Sequence, residues 1–434
     1  MRKPRIGVFG AFRGISMIDM LLVYPEAELV AVCDRHLPAL EKVREHAKKY
    51  DADVALYESF DDFIEHDMDA VVLANCANEH APFAIRCLDK GLHVLSECLP
   101  CETPAQAVAL VEAVERSGKI YSFAENCCYI TYCWEMWQQC RKDTIGDIVY
   151  AECEYIHYGL NSTPQLTYGD PNHWRSRMHP HFYCTHSLGP IIMASGRTPV
   201  QVVGFETPTF EKSKKLVYAH KGGSLSMVTL DNGAVVKVMM GGYEKRGIPW
   251  NYQYYGQHGH IESFRFPEQK EFNMYIADRE KIVDGKLKRY DPVIEIAREY
   301  AIQAGFETSF QQHWGADFYA PYFFIQKIMG NPDGQWTIDV YQALDMALPG
   351  IFAHRSALQG NIPIKIPNFR NKEERDAYRN DNACCTPEVA GDQLLPNSIH
   401  PPMDVPPEYY EHIKQLWLEK KRLNGSPVPP DAAH

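Results

Sequence analysis

The chain has 434 residues, of which 45% are hydrophobic and 23% charged, and a formal net charge of -12. That length suits two domains and a tail, and the proportions are those of a globular protein. The acidic balance argues against nucleic acid or an anionic membrane as the main partner, and no apolar run approaches a membrane span.

The opening MRKPRIGVFG is basic, briefly apolar, and then enters a glycine turn. It reads as a first strand over residues 5–9 rather than a signal peptide, so the expected compartment is the cytoplasm. Thirteen cysteines at irregular spacing suit reduced thiols there. Cys98 and Cys101 form a C-x-x-C without thioredoxin-like context, and they read as small buried residues rather than a redox pair or a zinc site.

Strands are expected at 28–33, 70–74, 93–96 and 121–124, with helices such as 81–90 and 105–117 between them. Such alternation predicts an α/β fold whose N-terminal part is a Rossmann-like, doubly wound parallel sheet. From about residue 148 the pattern changes. Asp231-Asn232-Gly233 between two apolar runs marks a hairpin, and 148–263 reads as a large, mostly antiparallel open sheet of an α+β domain. Helices follow at about 315–328 and 340–359. The tail from 368 is polar and proline-rich, with one helix at 407–422. It is either an arm packing on a neighbouring subunit or a loosely ordered extension. The expected division is 1–126, 127–367 and 368–434.

The first turn carries a dinucleotide signature. Gly10 supplies the tight turn, Gly14 lets the helix approach the sheet, and the free N–H groups of that helix suit a pyrophosphate. Phe12 stands where a second glycine is usual, with Arg13 beside it. Asp34 closes the second strand and can accept from ribose hydroxyls, which favours NAD over NADP; the neighbouring Arg35 weakens that preference.

Residues 173–190, HWRSRMHPHFYCTHSLGP, hold His173, His179, His181 and His186 with Tyr183, Arg175 and Arg177. Imidazoles titrate near neutrality, so the tract is rich in proton donors and acceptors. His179 and His181 could chelate a metal with Asp170, but loop histidines are more often hydrogen-bonded polar groups, and no metal is expected. His313 and Asp317 are one helical turn apart and either face a substrate or pair with each other. The aromatic run Trp250, Tyr252, Tyr254 and Tyr255 suits either stacking on a sugar or packing.

Several segments resemble the Gfo/Idh/MocA family of NAD(P)-dependent sugar oxidoreductases over about residues 5–369. Asn75-Cys76-Ala77-Asn78-Glu79-His80 matches its motif after the third main strand, and Gly91-Leu92-His93-Val94-Leu95-Ser96-Glu97 the following one. In the family that glutamate opens Glu-Lys-Pro. Here the residues are Glu97-Cys98-Leu99-Pro100, and the lysine that helps to deprotonate the hydroxyl is missing. A sub-branch similar to glycoside hydrolase family 109 and to 3-keto-glycoside-forming enzymes also lacks it. Glu125-Asn126-Cys127-Cys128-Tyr129, Tyr155-Ile156-His157, residues 183–190 and residues 313–318 resemble that branch.

The resemblance implies a tightly bound NAD. It also implies a sugar or glycoside substrate and oxidation of a ring hydroxyl at C3, either ending in a 3-keto product or continuing to net glycosidic cleavage. A dimer or tetramer is expected. His186 becomes the base, Tyr183 a second proton-transfer or anchoring group, and Glu125 and Tyr155 line the same site. Asn75, His80, Glu97 and Asn126 fall at cofactor positions, while Arg175, His173, His181, His313 and Asp317 fall toward the substrate. The alternatives are a plain sugar or polyol dehydrogenase, or a non-catalytic NAD- or sugar-binding regulator of the same fold.

Overall fold

The computed structural model describes residues 2–156, 166–209, 222–241, 249–263, 273–276, 315–402 and 404–423. Apolar runs bounded by turns build a first sheet of β1 Arg5–Phe9, β2 Glu28–Cys33, β3 Ala55–Tyr57, β4 Ala70–Leu73, β5 His93–Ser96 and β6 Tyr121–Phe123. Its order is β3-β2-β1-β4-β5-β6, with every neighbour parallel. The central strands are buried apart from the half-buried Arg5 and His93 at their starts, because helices cover both faces. The helix Pro104–Ser117 starts where the Thr103 hydroxyl accepts from the Gln106 amide and stops at Gly118, whose φ is +62°.

The second sheet contains β7 Ile148–Ile156, β8 Pro199–Glu206, β9 Gly223–Leu230, β10 Val235–Gly241, β11 Trp250–Gly256, β12 Gly259–Glu262, β13 Asn273–Ile276 and β14 Ile364–Lys365. Its order is β13-β12-β11-β7-β10-β9-β8-β14. The expected hairpin at Asp231 joins β9 to β10. Gly233 takes φ +86°, and Asn232 Oδ1 accepts from the Ala234 amide. One pairing departs from the antiparallel expectation: β7 runs parallel to β10. That requires a long crossover, and part of it is the helix Cys184–Ser195, inside the stretch read from sequence as sheet.

The helix Ala316–Ile328 packs on the Rossmann helix Ile15–Val23 and on the turn Asn126–Tyr129, while Cys184–Ser195 and Val340–Leu358 pack on the second sheet. The last of these packs on β8, on Cys184–Ser195 and on the Rossmann helix Pro104–Ser117, so it joins the two halves. From residue 368 the tail folds back over its own chain. Arg370 forms a two-pronged bond to Asp345 at 3.0 and 2.7 Å, Arg375 donates to Glu115 at 2.8 Å, and Arg379 donates to Glu112. All thirteen cysteines are free thiols. Among the described residues no helix is long and apolar enough to cross a membrane.

Candidate functional site

At the carboxyl end of the parallel sheet, Gly10 adopts φ +101°, and a Cβ there would lie 2.3 Å from the Ala74 carbonyl. At Gly14 a Cβ would meet the Gly10 oxygen at 2.5 Å. Both positions are closed to a side chain, and the backbone forms a bare cradle at the start of the helix Ile15–Val23. That helix has neither a side-chain cap nor an acidic residue in its first turn, so its free N–H groups remain for an anion. These features fit a dinucleotide pyrophosphate. Phe12 stands 58% exposed at the rim of the turn. Asp34 accepts from the Ala11 amide at 2.7 Å and the His36 amide at 2.8 Å; each carboxylate oxygen keeps a lone pair for a further donor. Arg35 is largely exposed and lies 3.7 Å from Glu79, which also receives the Asn75 amide.

Arg13 reaches from this turn toward the second domain. It pairs with Glu97 at 2.7 Å and with Asp317 at 3.2 Å, and Asn126 donates to the same Asp317 at 3.1 Å. Burial alone would lower the affinity of the guanidinium for its proton, but the two carboxylates reverse that and hold it firmly charged. His80 is buried, and its Nδ1 lies 3.1 Å from the Leu99 carbonyl, so that ring nitrogen donates. Burial lowers its pKa to about 4. His80 is thus a neutral ring that holds the 97–100 turn.

Glu125 follows β6 and is fully buried. Its Oε1 accepts from the Cys127 amide at 3.1 Å and lies 2.7 Å from His186 Nδ1, while its Oε2 accepts from the Cys98 thiol at 3.1 Å. Burial would raise Glu125, but His186, the Thr185 hydroxyl and the Cys98 thiol together hold it below the usual carboxylate range. A carboxylate only accepts, so Nδ1 of His186 carries a hydrogen, and in the neutral ring the lone pair is on Nε2. Burial, with Glu125 and Glu97 nearby, drives the Cys98 pKa well up and keeps it a neutral thiol.

His186 lies in the first turn of the helix Cys184–Ser195. Tyr252 donates to its backbone oxygen at 2.6 Å. Tyr183 lies parallel to the imidazole, with centroids 5.4 Å apart, and Tyr155 lies 4.7 Å away on a tilted plane. Burial, then Cys127, Tyr183 and Glu125, keep the Tyr155 phenol protonated and a donor. The Arg175 guanidinium lies 4.5 Å from the Trp174 ring and 5.7 Å from that of Tyr183. One connected line of groups therefore runs Asp317–Arg13–Glu97–Cys98–Glu125–His186, from the glycine turn to the tyrosines.

The other histidines of the tract turn elsewhere. His173 Nδ1 caps the turn Trp174–Arg177 by accepting from the Arg175 amide at 3.2 Å, and burial followed by Arg175 lowers it to about 4. His181 is buried, with Nδ1 3.1 Å from the Ser226 hydroxyl, and burial lowers it to about 3. His179 stacks on His354 at 4.3 Å. Asp170 accepts from the Asn172 amide, and Asp170, His179 and His181 do not bring their donor atoms together into a metal-sized group. Asp317, read toward the substrate, lies on the cofactor side against Arg13. His157 and His313 fall outside the described residues.

Among the described residues, Cys98, Glu125 and His186 are the group whose donor atoms crowd closely enough to invite a metal, all within 4.8 Å of one another. Two ligands on a tetrahedral zinc stand about 3.3 Å apart. The 2.7 Å between Glu125 and His186 is a proton-bonded spacing.

The resemblance did not single out four residues that build the site. They are Cys98 as a donor to Glu125, Thr185, Tyr252 and Gly189. At Gly189 a Cβ would lie 2.9 Å from Glu125 Cγ, so only glycine lets the helix approach. The empty place left by the missing lysine was the signal for Cys98, Tyr252 stood out only as part of the aromatic run, and Thr185 and Gly189 only as part of the matched segment 183–190.

Residues 5–125 match the model of an oxidoreductase family with an NAD-binding Rossmann fold, Gfo/Idh/MocA. A glycosyl hydrolase family 109 protein of Phocaeicola vulgatus is 22% identical over 417 residues, 86% of each chain. One of Shewanella baltica is 26% identical over 201 residues, 44% of each chain and so less than half of that relative's length. Among solved structures, scyllo-inositol dehydrogenase of Lactobacillus casei with NAD(H) and scyllo-inositol covers 84% of this chain and 99% of its own, with TM-score 0.62 and 16% identity. The WlbA dehydrogenase of Bordetella pertussis with NADH and UDP-GlcNAcA covers 84% and 98%, with TM-score 0.63 and 18% identity. At these identities the structural likeness is one of fold.

Proposed function

We propose that this relative of the Gfo/Idh/MocA oxidoreductases, whose residues 5–125 match that family's NAD-binding Rossmann fold, oxidises a ring hydroxyl of a sugar or glycoside. The expected position is C3, and the product is a ketone. The observation that carries this reading is the buried Glu125–His186 pair beside two tyrosines, joined through Cys98 and Glu97 to the dinucleotide cradle.

Gly10, Gly14 and the first turn of the helix Ile15–Val23 would hold the pyrophosphate, and Asp34 the adenosine ribose, which favours NAD over NADP. Bound NAD supplies the hydride acceptor. His186 Nε2 takes the hydroxyl proton as the carbon gives up its hydride. Glu125, anionic and buried, keeps the opposite ring nitrogen protonated and offsets the charge gained by the imidazole. Tyr155 donates a hydrogen bond to the sugar. Tyr183 stands where it can anchor the ring or handle the proton next to the new ketone. Arg175 closes the aromatic wall. Cys98 leaves residue 98 uncharged, so the negative charge of Glu125 is kept for His186. A lysine there would compete for it, and that argues against the plain sugar dehydrogenase.

A ketone at C3 acidifies the C2 proton, so the same site could continue to elimination of the aglycone, as the glycosyl hydrolase family 109 names of its relatives suggest. Denaturing the purified protein and identifying released nucleotide, then assaying a panel of 4-nitrophenyl pyranosides for ketone and for free nitrophenol, separates the outcomes. Bound NAD with ketone supports the oxidoreductase, and nitrophenol without added NAD supports net cleavage. No nucleotide and no turnover with added NAD would overturn the catalytic reading.

A further inference from the structure

The C-terminal helix Pro407–Leu423 is not a free extension. It lies on the loop that precedes the turn Trp174–Arg177. Gly169 in that loop has φ +75°, and a Cβ on it would lie 2.4 Å from the Tyr410 oxygen and 2.8 Å from the Lys414 nitrogen. The backbone of the helix therefore presses directly on the loop backbone. Next to it, the Tyr168 ring is held between two others, 5.8 Å from Trp417 and 5.2 Å, edge-on, from His173. His173 in turn accepts from the Arg175 amide, and Arg175 lies over Trp174 and Tyr183.

The loop carries its own local bonds. The Asp170 amide donates to the Thr167 carbonyl, the Asn172 amide to the Asp170 carboxylate, and the His173 and Ser176 amides to the Asp170 and His173 carbonyls. A turn held by local bonds alone opens easily unless something covers it. The helix covers one side. The earlier part of the tail holds the other, where Arg177 meets Glu388 at 3.3 Å.

We propose that the C-terminal helix is a positioning element of the substrate site. Through Tyr168, Gly169 and His173 it fixes the loop 167–177 and so holds Arg175 against Tyr183, next to His186. Its own residues touch no reacting atom. Trp417 and Gly169 are positioning residues, and they set how well substrate is held rather than how fast the bond breaks. The kinetic part of this inference rests on the function proposed above; the structural part does not.

The test compares full-length wild type, Trp417→Ala, Trp417→Phe and Gly169→Ala by amide hydrogen exchange and by kinetics on whichever 4-nitrophenyl pyranoside the wild type turns over. Losing the ring contact should speed exchange at 170, 172, 173, 175 and 176 by about tenfold, with the β1, β4 and β5 amides unchanged. KM should rise by about fivefold or more while kcat stays within about twofold, and the phenylalanine variant should restore both. Gly169→Ala, which pushes the helix away, should match Trp417→Ala. A purely structural role would lower the melting temperature and speed exchange across the fold without splitting KM from kcat. Unchanged loop exchange in both Trp417→Ala and Gly169→Ala overturns the proposal. If no pyranoside is turned over, the glycoside reading fails and the exchange data still decide whether the helix holds the loop.

Discussion

Glu125 and His186 are 61 positions apart in sequence, yet Glu125 Oε1 and His186 Nδ1 stand 2.7 Å apart. The carboxylate side of the pair is fully buried, and the imidazole keeps one nitrogen turned away from it. Replacing Glu125 by Gln removes the charge and lets an amide N–H compete for Nδ1, which would shift the ring to the wrong tautomer. We expect kcat to fall by about 10²–10⁴-fold with the fold intact, measured on the glycoside the wild type turns over.

The same carboxylate makes a pH-dependent contribution to stability. Its folded pKa lies below the ordinary carboxylate value. It therefore stabilises the fold fully above the unfolded value, and the contribution is lost as pH falls through the depressed folded value. The stability difference between wild type and Glu125→Gln should be flat above about pH 5 and shrink below about pH 4. Denaturant titrations across pH 3–7 check it; a difference that grows on acidification would contradict the pairing.

Cys98→Ser keeps a donor toward Glu125 Oε2 and should retain activity within a few-fold. Cys98→Ala withdraws it from a buried carboxylate and should cost roughly 1–2 kcal/mol in stability. Chelators should leave both rate and melting temperature unchanged, as the proton-bonded spacing requires.

Arg13 is the counter-ion of two buried carboxylates, Glu97 and Asp317. Arg13→Ala leaves both without it. Because the guanidinium is about a third exposed, we expect a loss of about 2 kcal/mol rather than the larger figure for a fully buried pair. A fall in nucleotide retention should accompany it, read by thermal shift and by NAD released on denaturation.

Asp34 faces the ribose end of the cradle. Asp34→Ser should raise kcat/KM for NADP relative to NAD by about tenfold or more, since a buried-edge carboxylate repels a 2′-phosphate. An unchanged ratio would place the adenosine elsewhere.

Much of the parallel sheet was legible because its strands are short apolar runs ended by glycine or acidic residues. The edge strand Ala55–Tyr57 was not, since three half-buried residues show no periodicity. The parallel β7–β10 pairing was hidden because register between distant segments depends on the crossover, which no local pattern records. In the site, the resemblance named Glu125, Tyr155, Tyr183 and His186, and the structure brings all four together. Spacing alone could not tell His186 from His173 or His181: all three are histidines in one tract, and what separates them is which partner each ring finds in three dimensions. Arg13 and Asp317 lie 304 positions apart, and nothing in either neighbourhood announces the other. Gly189 looks like an ordinary helix glycine until the closeness of Glu125 explains it.

The most direct test of the Glu125–His186 account is to assay His186→Ala in the full-length protein for ketone formation alongside its bound nucleotide. The account predicts that ketone formation drops by at least about 10²-fold while NAD is retained at the wild-type level. Near-normal turnover with NAD bound would contradict it.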